Sequence, residues 1–102
     1  PEQLSRDVDS AVSALADFAK EAGYTLDRTV LEGLNYEELS FFLAATDVFS
    51  LEEKQELLVL RSTAARLRKV TETLKSRAEE RRKLEEVRKV LGRSDDISHL
   101  FN

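Results

Sequence analysis

The sequence predicts an all-α protein: a small bundle of about four short helices, with one long C-terminal helix projecting from it. Three observations carry that expectation. Three Gly and one Pro in 102 residues are too few to punctuate an all-β chain, which needs turn residues roughly every ten positions. Apolar residues recur at spacings of three and four through most of the sequence. Two polar caps are each followed three residues later by glutamate, Asn35 with Glu38 and Ser50 with Glu53, the pattern of a capping box at a helix start.

The first helix is expected at about 3–22. Leu4, Val8, Ala11, Val12, Leu15, Phe18, Ala19 and Ala22 share one face, and Gly23 supplies the left-handed residue that commonly ends a helix. Thr25 or Asp27 then caps a short, weak helix carrying Val30, Leu31 and Leu34, with Gly33 inside it. The third helix starts at Asn35 and bears the stripe Tyr36, Leu39, Phe42, Leu43, Thr46 and Phe49. Ser50 opens a fourth, 51–60, whose apolar face is Leu51, Leu57, Leu58 and Leu60. Ser62 and Thr63 cap the long helix, which runs without Gly or Pro to about 91. Its apolar positions are Leu67, Val70, Leu74, Ala78, Leu84, Val87 and Leu91, interrupted by the polar run KSRAEERRK at 75–83. That run predicts packing through Leu74 and projection beyond it, because a segment polar all round has no face to bury. Gly92 is expected to stop the helix. The organisation expected is therefore a bundle lobe at 1–74, a projecting basic helix at 75–91 and a polar tail at 92–102 tipped by Ile97, Leu100 and Phe101.

Charge is distributed unevenly. Residues 1–60 hold 13 acidic and 4 basic side chains, whereas 61–102 hold 7 acidic and 12 basic. The halves therefore attract, although each exposed pair contributes only about 0–1 kcal/mol. There is no Cys, which excludes disulfides and thiolate metal sites. No apolar run reaches the roughly 18 residues of a membrane span, and PEQLSRDVDS lacks the basic-then-apolar opening of a signal peptide, so a cytoplasmic location is expected.

Catalytic patterns are missing. The single His, at 99, lies in the tail, which rules out a two-histidine metal motif. No phosphate-binding loop and no G-x-S-x-G elbow occurs. The paired glutamates at 37–38, 52–53, 79–80 and 85–86 fall on expected helix surfaces, where first-turn carboxylates are favoured by the helix dipole. The chain reads as non-catalytic, with no cofactor.

The stretch SLEEKQELL at 50–58, followed by a polar cap and an amphipathic helix, resembles the helical end of the N-terminal, substrate-binding domain of the Lon protease family. LEEKQELL at 51–58 is the most specific part; elsewhere in roughly 4–85 the likeness is one of helix lengths and order. The resemblance implies the helical lobe of a PUA-like N-terminal domain, recognition of unfolded or damaged polypeptides, and help in oligomer assembly. Family members continue the long helix well past the equivalent of residue 85, whereas this chain meets Gly92, which favours a stand-alone N-domain protein or an excised piece. No contact residue carries over from the family.

Partner-contact candidates come from the residues themselves. Phe41 and Phe42 are adjacent, so their rings point about 100° apart on a helix and need not share one core. Phe49 belongs to the same aromatic cluster, and Leu84, Val87 and Leu91 form the apolar seam of the projecting helix. Two other readings stand beside polypeptide binding. One is nucleic-acid or acidic-partner binding through Arg66, Arg68, Lys69, Lys75, Arg77, Arg81, Arg82 and Lys83, which are spread around the helix rather than held on one face. The other is a coiled-coil scaffold pairing through 67–91.

Overall fold

The computed structural model describes residues 2–93, which form five helices: α1 Glu2–Ala22, α2 Thr29–Glu32, α3 Tyr36–Ala44, α4 Leu51–Val59 and α5 Thr63–Arg93. The protein is all-α, with no strand among the described residues. No described helix is long and apolar enough to cross a membrane.

Local chemistry sets the helix ends. Gly23 has φ 81°, and the Tyr24 N–H donates to the Ala19 carbonyl at 2.7 Å while the Gly23 N–H donates to Lys20 at 3.2 Å. This is a Schellman closure, which satisfies carbonyls that α1 would otherwise leave open. Asp27 starts α2 by accepting from the Thr29 backbone and hydroxyl, at 3.0 and 2.6 Å. Those two hydrogen bonds, the hydroxyl's first, hold its carboxyl below the ordinary range. Both capping boxes form, Asn35 with Glu38 and Ser50 with Glu53. The Ser62 hydroxyl caps α5 by accepting from the Ala65 N–H at 3.1 Å.

Helices α1 and α5 lie side by side and parallel. Asp7 pairs with Arg68 and Glu21 with Arg82, so the register stays constant along the pair. Small residues line this contact: Ala14 of α1 and Ala78 of α5 are both buried where the two helices meet, letting the backbones approach closely. Across the pair, α3 contributes Leu39, Leu43 and Ala44, α2 contributes Leu31, and the link before α4 contributes Phe49. Helix α4 runs antiparallel to α5, its first turn at Arg77 and its last at Arg66.

Several expectations are corrected. Gly33 lies outside α2 as its C-cap, leaving a helix of a single turn. On α4 only Leu57 is fully buried; Leu60 is half-buried as the C-cap, and Leu51 and Leu58 face outward with Val59. The run LLVL puts apolar groups on every side of the helix, so packing rather than periodicity chooses the inner one. Helix α5 stays on the bundle through Ala78, one turn beyond Leu74. It also runs through Gly92 to Arg93 without a left-handed residue, so Gly92 is no stop. Ile97, His99, Leu100 and Phe101 of the tail lie outside the described residues.

The long helix does not carry one continuous seam. Leu67, Val70, Leu74 and Ala78 step by three and four and face α1 and α3, but the next apolar residue is Leu84, six positions on. At 100° per residue, Leu84, Val87 and Leu91 sit roughly 110° round the helix from the buried stripe. The line that would have continued inward instead carries Arg81, Glu85 and Gly92. The change of face coincides with the end of α1. At a 1.5 Å rise the 31 residues of α5 span about 46 Å, most of the 57 Å long axis.

Candidate functional site

Among the described residues, a groove of about 590 Å³ is built chiefly from four segments. The last turns of α1 supply Phe18 and Ala22, and the link released by Gly23 supplies Tyr24 and Leu26. Phe42 of α3 and Val48 of the following link form the opposite wall. Its floor is apolar and its rim carries opposite charges. Arg81 stands with its guanidinium 5.9 Å from the Phe18 ring centroid. Asp47 also lines it, its carboxyl held below the ordinary range by the Lys54 ammonium that donates to it at 2.9 Å.

The two adjacent phenylalanines diverge as their spacing implies. Phe42 is 40% exposed and lines the groove. Phe41 is half-buried, with the Arg66 guanidinium stacked 3.9 Å from its centroid. Phe49 is 3% exposed and belongs to the core, so it leaves the set of residues open to a partner. Leu84, Val87 and Leu91 are all exposed on the projecting end of α5, joined by Val90. Leu84 lies one turn from the groove-lining Arg81 and shares a shallow depression with it, but none of these four aliphatic side chains lines the groove itself.

Most basic residues of α5 are already engaged. Arg66, 2% exposed, donates to the Leu57 carbonyl at 3.0 Å, to the Ser40 hydroxyl at 2.9 Å and to the Leu60 carbonyl. It forms no ion pair among the described residues. Its charge is balanced by the carbonyl end of α4, where the helix dipole is negative, and by the Phe41 face. Arg77 grips both Glu53 oxygens at 2.6 and 2.7 Å and donates to the Val48 carbonyl. Glu53 also accepts from the Ser50 N–H at 2.8 Å. The Ser50 bond first, and Arg77 second, hold its carboxyl below the ordinary carboxylate range. Arg82 contacts Glu79 and Glu21, Arg68 contacts Asp7, and Lys69 reaches Glu72.

Asp7 is buried on α1 with one oxygen receiving from Gln3 at 3.1 Å; the other faces Arg68 Nε at 3.5 Å without a hydrogen bond. Among the described residues, no cluster of His, Cys, Asp or Glu has the makings of a metal site. The groove was not legible as a site in the sequence, because its walls are 16 residues or more apart in the chain and no local motif joins them. The chain matches no protein-family model, no curated protein and no solved structure.

Proposed function

We propose that the chain is a non-catalytic protein-binding module, the helical lobe of a Lon-type N-terminal domain, that takes apolar stretches of unfolded polypeptide into the groove between α1 and α3. The groove is the observation that supports it most. A concavity of about 590 Å³ with an apolar floor accommodates one or two large side chains of an extended peptide. Folded proteins bury such side chains and unfolded ones present them, so an apolar slot with only a charged rim discriminates by folding state rather than by sequence. Arg81 and Asp47 at the rim would meet peptide carbonyls, amides or charged flanks of either sign. A cytoplasmic setting accords with this role.

The test is fluorescence anisotropy of a labelled, permanently unfolded polypeptide such as casein, titrated with the wild-type chain and with Phe42→Asp. Binding weakened at least tenfold by the substitution is the expected result. Equal binding by both proteins, or binding no stronger than to an inert helical protein, would sink the proposal. Nucleic-acid binding is the weaker alternative, since most of the cations it would use, Arg66 and Arg77 above all, are occupied within the fold.

A further inference from the structure

Among the described residues, two apolar faces remain uncovered once the bundle has closed. The tip of α5 exposes Leu84 at 64%, with Val87, Val90 and Leu91 beside it. The outer face of α4 exposes Leu51 at 71% and Val59 at 77%, together with Leu58. Single exposed aliphatics are ordinary, but a run of them along one helix face marks a contact surface. Within one molecule the faces cannot meet. Helix α4 already lies on α5 through Leu57 and Glu53, so its outer side points away from α5, and the tip continues straight past it.

We infer that the tip of α5 docks against the outer face of α4 in a second copy of this chain, head to tail. Charge selects this pairing over the symmetric ones. Residues 81–92 carry five basic and two acidic side chains, whereas on α4, with Glu53 paired to Arg77 and Lys54 to Asp47, Glu52 and Glu56 remain without an ion pair among the described residues. Tip against tip would oppose two basic segments, and α4 against α4 two acidic ones; tip against α4 joins opposite signs around two apolar strips. The strips also match in length, about 15 Å for residues 83–92 and about 14 Å for the nine residues of α4. Because the two patches differ, each copy keeps one of each free, and the contact propagates to a ring or an open string. An interface this short falls below the usual area of a stable complex, so association is concentration-dependent. This goes beyond the proposed function, and its apolar contacts, Leu84 and Val87 on the tip and Leu58 and Val59 on α4, do not line the groove, so polypeptide binding and self-association can fail separately.

The decisive experiment is sedimentation velocity on three proteins. The wild-type chain should exceed its monomer mass of 11.6 kDa increasingly as concentration rises toward about 1 mM. A tip variant, Leu84→Glu with Val87→Glu, and an α4 variant, Leu58→Lys with Val59→Lys, should each sediment as monomer with unchanged helical circular dichroism, since all four positions are exposed. Mixed in equal amounts they should form a heterodimer of twice the monomer mass, because one retains an intact tip and the other an intact α4. A monomeric wild type, self-association of either variant alone, or a mixture that stays monomeric would each overturn the inference.

Discussion

Arg66 is the strongest test of how the bundle is held together. It is a cation 98% removed from solvent without a carboxylate partner among the described residues, a placement whose desolvation must be offset by hydrogen bonds of good geometry. Its three acceptors belong to α3, to α4 and to the turn after α4, so one side chain of α5 fixes two other helices. Truncation to alanine removes three charge-assisted bonds, each contributing about 1.5–3 kcal/mol, together with the stacking on Phe41. The loss falls short of that sum because two acceptors keep other partners. Leu57 still accepts from the Leu60 N–H at 3.3 Å, and the Ser40 hydroxyl still donates to the Glu37 carbonyl at 2.7 Å. About 3 kcal/mol is therefore expected for Arg66→Ala.

That is a large share of the roughly 5–15 kcal/mol available to a domain of this size, and it corresponds to a drop in Tm of about 12–24 °C. Arg66→Lys should recover less than half, since a single ammonium cannot reach three acceptors in a fork or stack flat on the ring. Urea unfolding followed by circular dichroism measures both. A loss below about 1 kcal/mol for alanine, or full rescue by lysine, would refute the claim that the guanidinium fork organises the α3–α4–α5 junction.

Glu53 makes the fold sensitive to acid. Its carboxyl is held below the unfolded value, so its contribution is complete above about pH 4.3, the ordinary glutamate value, and is lost as pH falls through the lowered one. Glu53→Gln should cost about 1 kcal/mol at neutral pH and flatten the decline between pH 5 and pH 3, judged by urea midpoints across roughly that range. Gly23→Ala should cost about 1 kcal/mol through backbone strain alone, because the φ of 81° disfavours any L side chain while nothing lies within 4 Å of the added Cβ. A neutral effect on the thermal midpoint would show that the closure of α1 relaxes freely.

What was legible in the sequence was local. The two capping boxes, the Gly23 closure and the Ser62 cap each join residues three to five apart, and each appears in the structure with the partners their spacing implies. What was not legible depends on pairs far apart. Arg66 reads as one of eleven basic side chains on a helix, and only its approach to Ser40, 26 residues away, makes it internal. Ser40 itself gives no signal, since a serine beside two phenylalanines reads as surface. On α4, apolar residues on all sides left the choice of inner face to packing, and packing took Leu57. The groove follows the same logic: Phe18, Tyr24, Phe42 and Val48 become neighbours only once α1 and α3 are in place.

The apolar residues of α5 illustrate how a correct spacing rule can merge two roles. Leu74 and Leu84 are the same residue type on the same helix, ten positions apart. Ten residues at 100° each place them roughly 80° from one another, enough for the first to be 1% exposed and the second 64%. Leu74→Ala should therefore cost about 2–5 kcal/mol through lost burial and a residual cavity, while Leu84→Ala should stay within about 0.5 kcal/mol, as for other surface positions. Both are measured as urea midpoints at low protein concentration, where self-association cannot add stability to the wild type. Equal costs would mean that α5 packs along one continuous seam and that its outward face is not free. Unequal costs in the stated order leave residues 84–91 with no structural duty in the single chain, which is the condition a surface must meet if its apolar side chains are kept for contact with another molecule.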